Sequence, residues 1–404
     1  MDRARRTETN DQHLGLRDKR MVTIGGGTGP FALLSALKRH PCLITAIVTM
    51  SDSGGSSRRL MDEFGQLPFG DLRQALVALS RKGVLWRDVF THRFHKEQRP
   101  TEQARAGMEL AEHACVSGHS LGNLIISALE RINEGSLLHA ITDAQELLDT
   151  AGNVFPVTLA HSTLCAELMD GTIICGETEI DTRGLHQREA LPAVRRVFLR
   201  EEAPPCKETL RAIRRADVII LGPGDLYTSI LPNLLVDGVA EAIRSSEART
   251  IYVCNLMTKH GETDGFRAST FVREVQRYLG GRVDRVVLHD GSFPGHLLGR
   301  YTEQQQCPVE ADVEEVRRLA SDVVVDRLLA VHAGHLVRHD AERLLRAIFA
   351  PSDAELPQPT ISGARDTADT ADTVNTADTV NMEYRAVWSS AVEGQAPPLV
   401  SGRD

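Results

Sequence analysis

The chain has 404 residues, a net charge of −9 and a hydrophobic fraction of 42%, enough apolar material for one large domain or two ordinary ones. Because no stretch forms a basic stripe, the composition argues against a nucleic-acid partner. The N-terminus is polar and lacks the apolar segment of a signal peptide, and no apolar run is long enough for a membrane span. We therefore expect a cytoplasmic protein without a membrane span.

The seven cysteines are scattered, and none belongs to a Cys-x-x-Cys pair. An odd number without regular spacing predicts free thiols in a reducing compartment and argues against a disulfide framework.

Composition divides the chain into three parts. Residues 1–20 are charged and polar, which predicts a disordered lead. Residues 21–350 alternate strand-like and helix-like segments and are predicted to form one domain. Residues 351–404 are acidic and contain a Thr/Asp-rich repeat with too little apolar surface to fold, so we predict a disordered tail.

Short β-branched runs and longer amphipathic segments alternate through the central part. Strands are predicted at 21–24, 43–50, 157–159, 172–175, 218–221, 250–254, 283–288 and 322–325. Helices are predicted at 31–38, 71–80, 121–132, 137–148, 231–245, 268–279, 311–320 and 340–349. This alternation predicts an α/β fold, a doubly wound and mainly parallel sheet with helices on both faces.

Two segments depart from that alternation. The Asp170-Gly171 turn lies between two β-rich runs, which predicts an antiparallel hairpin appended to the main sheet. The polar, aromatic-containing stretch 87–114 is interpreted as a small helical cap over the site.

The turn after the first predicted strand is the strongest functional signal. It comprises Gly25, Gly26, Gly27, Thr28 and Gly29, directly before a predicted helix. Glycines allow bare N–H groups to converge at the positive end of a helix, so this turn predicts a phosphate site. It matches neither the dinucleotide fingerprint nor the P-loop. The alternative is a tight turn without a ligand.

The loop after the second predicted strand carries Asp52, Gly54, Gly55 and Ser56. An acid at this position can bind a ribose hydroxyl or a divalent cation, and the following residues can form an anion nest. A flexible polar loop is the alternative.

Three further polar residues lie at predicted helix starts. Asp71 is interpreted first as a helix N-cap, and alternatively as lying with Arg73 at the strand-end crevice. Asn123 can present its side-chain amide to a ligand. His119 is interpreted as a solvated loop histidine.

Two later loops repeat the same arrangement. Gly222 and Gly224 follow a buried strand, and Asn255, Thr258 and Asp264 lie on the loop after the next one. Parallel topology brings the carboxyl ends of strands to one edge, so we expect these loops to share one ligand site. The nearby acids could hold Mg²⁺, but no metal ligand set, certain cofactor or general base can be identified, and no catalytic residue is assigned.

At these motifs the sequence resembles the gluconeogenesis factor family (YvcK-type), part of the CofD-like superfamily. The resemblance covers about residues 21–350 and rests on the following segments: 25–29, 46–57, 70–73, 121–126, 221–233 and 261–265. It implies a Rossmann-like fold and binding of a UDP-sugar, UDP-N-acetylglucosamine in particular. It also implies a role in cell shape and wall synthesis during growth on gluconeogenic carbon, without an established catalytic reaction.

The resemblance further implies that Tyr301 and Arg338 contribute to UDP-sugar binding. A tyrosine ring can stack on uracil, and a guanidinium can pair with a pyrophosphate. Ser53 follows Asp52 where relatives commonly have a second acid, which weakens the expectation of a metal there.

The leading hypothesis is a UDP-sugar-binding factor for morphogenesis and cell-wall precursor control, with cell-wall synthesis proteins as candidate partners. The alternative is an enzyme of the 2-phospho-L-lactate transferase type, from deazaflavin coenzyme biosynthesis. Only 4% of the residues are aromatic, which argues mildly against a pocket for a tricyclic acceptor. An NAD(P)-dependent dehydrogenase is disfavoured by the altered fingerprint. The exact sugar and a homo-oligomeric state are left open.

Overall fold

A computed structural model of the chain describes residues 15–52, 66–94, 118–185, 187, 189–332 and 336–351. The predicted tail lies outside the described residues beyond Pro351, as do residues 1–14 of the predicted lead and most of the predicted cap. Of the last residues of the predicted lead, Leu16 is buried in the core and Arg20 already starts the first strand. The backbone here is held by a hydrogen bond from the Asp18 N–H to the Pro41 carbonyl.

Twelve strands occur in the described residues. In chain order they are β1 (Arg20–Gly25), β2 (Leu43–Val48), β3 (Gly152–Pro156), β4 (Leu164–Leu168), β5 (Ile173–Cys175), β6 (Val194–Leu199), β7 (Val218–Leu221), β8 (Arg249–Val253), β9 (Arg285–His289), β10 (Asp322–Asp326), β11 (Leu329–His332) and β12 (Leu336–His339).

The helices of the same residues are α1 (Gly29–Leu37), α2 (Gly70–Leu79), α3 (Val84–Thr91), α4 (Leu121–Ile132), α5 (Leu137–Leu148), α6 (Glu177–Asp181), α7 (Lys207–Arg215), a π-helix (Leu226–Ile230), α8 (Leu231–Leu235), α9 (Val239–Arg244), α10 (Ala268–Leu279), α11 (Gly295–Glu303), α12 (Val313–Leu319) and α13 (Ala341–Ile348).

The main sheet confirms the predicted α/β class. Its seven strands are all parallel, in the order β10-β9-β8-β7-β1-β2-β3. Along β1, Met21 packs into one hydrophobic cluster with Leu33 and Phe69, whereas Val22 packs into a second cluster with Tyr227. Successive side chains of a strand point to opposite faces, so the two clusters show that both faces of the sheet are covered.

The strand order places the topological switch point between β1 and β7. From β1 the chain proceeds through β2 to β3 on one side, and it returns at β7 to continue through β10 on the other. The loops that leave β1 and β7 therefore diverge, which opens a crevice at the carboxyl edge of the sheet.

The predicted hairpin is confirmed as the antiparallel pair β4 and β5, but it does not extend the main sheet. It joins β6 in a separate three-stranded sheet with the order β5-β4-β6. The pair β11 and β12 forms a second small sheet that the sequence interpretation missed.

A disulfide joins Cys165 to Cys175, which corrects the prediction of free thiols. The two cysteines are direct cross-strand partners in the β4–β5 register. Their proximity depends on that register, which residue spacing alone does not reveal. Four other cysteines of the described residues form no disulfide: Cys42, Cys206, Cys254 and Cys307.

Most predicted elements of the main domain agree with the structure within two residues, and two of the departures have local causes. The strand predicted at 157–159 lies earlier, as β3. The helix predicted at 231–245 is divided into α8 and α9 by a turn in which Gly238 has φ +73°. The helix α7 was missed because its sequence is largely charged and only Thr209 and Ile213 are buried. None of the described helices has the length and apolar character needed to cross a membrane.

Candidate functional site

The four polar loops singled out in the sequence follow four adjacent parallel strands, in the order β8-β7-β1-β2. Their carboxyl ends therefore share one edge of the sheet, around the switch point. The loop after β2 is described only as far as Asp52, so Gly54, Gly55 and Ser56 lie outside the described residues.

The glycine turns after β1 and β7 are packed directly against each other. A Cβ built on Gly29 would lie 2.3 Å from the carbonyl oxygen of Pro223 and 2.8 Å from the Cα of Gly224. A side chain on Gly29 would thus force the two turns apart. The absence of a Cβ at this position lets two bare backbones meet at the switch point.

Several backbone N–H groups at this junction are available to bind a ligand. Within the described residues, the backbone N–H groups of Thr28, Gly29 and Gly224 donate no hydrogen bond. Thr28 is the N-cap of α1 and makes no side-chain cap, while Pro30 has no N–H to offer. Free N–H groups at a helix N-terminus attract an anion, because the helix dipole is positive there.

Asp71 lies under the first turn and does not cap its helix. The N-cap of α2 is Phe69, so the N-cap interpretation is wrong. The Oδ1 atom of Asp71 instead accepts a hydrogen bond of 2.7 Å from the N–H of Gly27, whose φ is +64°. Burial and the nearby carboxylate of Asp52 raise the pKa of Asp71 to about 8. Asp71 therefore lies beside the first glycine turn, and its contact with a ligand stays a prediction.

Arg73 and Asn123 form a buried pair. The Nε of Arg73 donates a hydrogen bond of 2.9 Å to Oδ1 of Asn123, and its Nη1 donates to the carbonyl of Phe90. Desolvation lowers the pKa of Arg73 to about 10, aided by the nearby positive charge of Arg93. These side chains hold α4 against α2, and the guanidinium is engaged within the protein. His119 is also buried, contrary to its interpretation as a solvated residue.

The loop after β8 is tied to the turn after β7. The Nδ2 of Asn255 donates a hydrogen bond of 2.9 Å to the carbonyl of Gly224. Two other predicted site residues shape this loop: the N–H of Cys307 donates to the Thr258 hydroxyl, and Asp264 accepts from the N–H of Gly261 at 2.7 Å. Thr258 and Asp264 therefore act on loop geometry in this structure.

Lys259 was missed in the sequence, although it lies within a loop whose neighbours were singled out. Its Nζ forms ion pairs with Asp181 of α6, with Asp225 at 3.0 Å and with Glu262 at 3.0 Å. The three carboxylates outweigh desolvation and raise the pKa of Lys259 above its ordinary value. Burial raises the pKa of Glu262 to about 8, although Lys259 opposes that shift. We call these four residues the Lys259 cluster.

The π-helix after Gly224 contributes a second missed group. Ser229 lies so close to the first turn that a Cβ on Gly27 would be 3.4 Å from its Oγ. A π-helix is rare and often marks a functional site. Its presence directly after a glycine turn was not detectable from periodicity, since five residues are too few to show a period.

Tyr301 and Arg338 are brought together near the end of β8. The hydroxyl of Tyr301 accepts a hydrogen bond of 2.8 Å from the N–H of Val337, and Nη1 of Arg338 donates to the carbonyl of that residue. His339 approaches the Cys254 carbonyl at 3.2 Å, which places β12 beside the end of β8. Burial lowers the pKa of His339 to about 4, so its imidazole is neutral.

Carboxylates outnumber cations at this edge, but among the described residues no three His, Cys, Asp or Glu side chains converge as a metal site. Mg²⁺ binding therefore remains an expectation.

Comparison of the sequence with known protein families identifies the family of this chain. Residues 21–329 match the CofD family, which is described as 2-phospho-L-lactate transferase CofD. Apart from Arg20 at the start of β1, the match includes the seven-stranded sheet and both glycine turns. The chain therefore belongs to the CofD family.

Individual similar proteins indicate to which group of that family the chain belongs. A gluconeogenesis factor from Halalkalibacterium halodurans is 38% identical over 336 residues, which cover 83% of this chain and 97% of the relative. A gluconeogenesis factor from Bacillus subtilis is 38% identical over 327 residues, which cover 80% and 95%. The crystal structure of protein BH3568 from Bacillus halodurans has a TM-score of 0.73 and 38% identity, and covers 82% of this chain and 99% of that one. Within the CofD family, the chain groups with the gluconeogenesis factors.

Proposed function

We propose that the chain is a cytoplasmic UDP-sugar-binding factor, with UDP-N-acetylglucosamine as its ligand. The observation that carries the proposal is the meeting of two glycine turns at the switch point, with unpaired N–H groups on Thr28, Gly29 and Gly224. These donors suit the diphosphate of a nucleotide sugar. Asp52 and Asn255 flank the turns, where they can contact ribose or sugar hydroxyls.

Tyr301 and Arg338 extend the proposed site toward β8. The hydrogen bond from Val337 fixes the hydroxyl end of Tyr301, which leaves its ring face as the part that can stack on uracil. The guanidinium of Arg338 has further donors beyond the one given to Val337. It can therefore pair with a phosphate without losing that contact.

Isothermal titration calorimetry with UDP-N-acetylglucosamine tests the proposal. We expect saturable binding by the wild-type protein and weaker binding of GDP-mannose, whose purine base does not match the site proposed for uracil. A Gly29→Ala variant should lose about tenfold or more in affinity, because its Cβ pushes the turns apart. Gly83→Ala is the matched control, since a Cβ there meets open space. No saturable binding by folded wild-type protein at millimolar ligand would contradict the proposal.

We further propose that ligand binding serves cell shape and wall-precursor control during growth on gluconeogenic carbon. A strain that lacks the gene should lose its normal shape on such carbon and keep it on glucose. The wild-type gene should restore the shape, and the Gly29→Ala gene should not. Normal shape in the deletion strain on both carbon sources would contradict this role.

The second candidate is a 2-phospho-L-lactate transferase, favoured by the description of the family that matches residues 21–329. It predicts metal-dependent consumption of a nucleotide-activated phospholactate in the presence of a deazaflavin acceptor. Mass spectrometry of the reaction mixture decides between product formation and binding alone.

A further inference from the structure

Lys259 is tied to the glycine turn after β7 by contacts within the loops themselves. Its partner Asp225 directly follows the Gly222–Gly224 turn, and the Asn255 amide ties the Lys259 loop to Gly224 at 2.9 Å. A movement of the turn after β7 therefore bears directly on the Lys259–Asp225 ion pair.

The three carboxylates around Lys259 differ in their access to water. The side chain of Glu262 is 1% exposed, that of Asp181 is 33% exposed and that of Asp225 is 45% exposed. Lys259 itself is 21% exposed. The Lys259–Asp225 contact thus faces the solvent side of the cluster, while Glu262 forms its buried floor. Asp225 is the partner that Lys259 can exchange at least cost in desolvation.

The acidic groups at the carboxyl edge favour such an exchange when an anionic ligand binds. Asp52 and Asp71 lie beside the first turn, and Glu177 of α6 is near enough to raise the pKa of Asp71. Arg73 is buried and engaged with Asn123 and Phe90. A pyrophosphate on the turns would add negative charge beside these acids, and the ammonium of Lys259 can neutralise part of it.

We infer that Lys259 selects ligands that carry a pyrophosphate, by exchanging its Asp225 contact for a phosphate oxygen while Asp181 and Glu262 hold its side chain in place. This inference rests on the proposed function, because it assigns a role at the same site. It adds a specificity-determining residue on the loop after β8. The discrimination is between charged and uncharged ligands of the same nucleoside.

Two variants with opposite expected effects test the inference, with UDP-N-acetylglucosamine, UDP, uridine and inorganic pyrophosphate as probes. Lys259→Met should lower the affinity for UDP-N-acetylglucosamine and UDP about tenfold or more, which is the effect of losing one charge-assisted hydrogen bond. The affinity for uridine should not change. Asp225→Asn keeps the lysine and removes its exposed competitor. It should strengthen UDP and pyrophosphate binding severalfold and leave uridine unchanged.

Asp225→Asn also answers the objection that Lys259→Met leaves three carboxylates without a cation and fails to fold. The Asp225 side chain caps no helix, so this variant is expected to fold. Unchanged or weaker pyrophosphate and UDP binding by Asp225→Asn would overturn the inference. So would an unchanged ratio of UDP to uridine affinity in folded Lys259→Met.

The pyrophosphate measurements separate this inference from the proposed function. If the wild type binds pyrophosphate but no UDP-sugar, the proposed ligand is wrong. The response of pyrophosphate binding to Asp225→Asn then still decides the role of Lys259.

Discussion

Glu262 shows at the residue scale how burial decides which of several acids keeps its proton. Three carboxylates share the single ammonium of Lys259, and Glu262 is the one removed from water. Burial of a carboxylate is unfavourable unless its charge is compensated, so the least hydrated member of such a group holds a proton most tightly. The raised pKa of Glu262, to about 8, reflects this competition.

The pKa of Glu262 predicts a specific dependence of stability on pH. The folded state binds this proton more tightly than the unfolded state, in which glutamate has a pKa of 4.5. The resulting stabilisation is complete below about pH 4.5 and is lost as the pH rises toward 8. Glu262→Gln keeps a neutral side chain and should remove this part of the dependence.

Urea unfolding of the wild type and Glu262→Gln at pH 5, 6, 7 and 8 measures the effect. The difference in free energy of unfolding should move in favour of the variant as pH rises, by on the order of 2 kcal/mol across the series. Asp71 and other groups titrate in both proteins and cancel in that difference. Parallel curves for the two proteins would show that Glu262 is ionised throughout.

At the scale of elements, the hairpin β4–β5 connects a covalent cross-link to the candidate site. The disulfide closes a loop of sequence separation 10 and lies at the end of β5. Gly176 follows with φ +109° and leads into α6, which supplies Asp181 to the Lys259 cluster. The cross-link thus restrains the segment that carries one of the four members of the cluster.

Removal of the disulfide should lower stability through the entropy of the unfolded chain. For a loop of this length, Cys165→Ala/Cys175→Ala should reduce the free energy of unfolding by about 3 kcal/mol. Thermal unfolding with and without a dithiol reductant is the measurement. Reductant should lower the melting temperature of the wild type and leave the double variant unaffected. Equal responses of the two proteins to reductant would exclude a structural role for the bond.

Arg285 also connects secondary-structure elements, because it joins helix α13 to strands β9 and β10 of the sheet. Its side chain is fully buried, and its guanidinium donates to Asp322 of β10 and to the Ala347 and Ile348 carbonyls at the end of α13. Arg285 thereby joins the Asp322 carboxylate, which also accepts from Arg249, to two carbonyls at the end of α13.

Arg285→Met should destabilise the protein by about 2–3 kcal/mol, because the Ala347 and Ile348 carbonyls lose their buried donor and Asp322 keeps Arg249 but loses Arg285. Arg282→Met is the control, since the Arg282 side chain is exposed and donates to carbonyls at the end of α12. Its effect should be within about 1 kcal/mol. Chemical denaturation compares the two, and similar losses would mean that the buried network contributes little.

For the whole molecule, the switch point explains why polar loops far apart in sequence form one site. The loops after β1 and β7 are separated by nearly two hundred residues, and strand order alone makes them neighbours. The sheet, both glycine turns and the Lys259 cluster all lie within residues 15–351. We therefore propose that the tail adds nothing to folding or ligand binding.

A chain that ends at Pro351 should keep the melting temperature and the ligand affinity of the full protein. A chain that ends at Leu319 should not fold, because it lacks β10 and the helix α13 with its Arg285 contacts. Circular dichroism and calorimetry of the two truncations measure these outcomes. A loss of affinity in the chain that ends at Pro351 would assign the tail a role at the site.

Local signals were sufficient for much of the fold. The runs at β1, β7 and β8 contain mainly apolar residues, many of them β-branched, and these residues are buried in the sheet. Gly-rich turns follow β1 and β7. The strands, the turns and the parallel order could therefore be inferred together. Helices such as α4, α5 and α10 were predicted at their observed bounds, because each has an apolar face at helical spacing. The charged helix α7 and the five-residue π-helix lack such a signal.

The positions of the glycine turns in the candidate site were predictable, whereas the contacts around them were not. Glycine spacing indicates where bare backbone can meet a phosphate, since that property belongs to the residue itself. The partners of Asp71 and Lys259 depend on strands and loops that are distant in sequence, so only three-dimensional contacts identify them.

By itself, the amino-acid sequence determined the α/β class, the order of the polar loops and the position of the first glycine turn, because these follow from local periodicity and glycine's freedom. Tertiary structure alone decided that the turns after β1 and β7 touch, that Cys165 meets Cys175 and that three carboxylates share Lys259. The physical reason is that strand register, close packing and burial are properties of distant segments brought together, and a side chain's charge and accessibility are set only there.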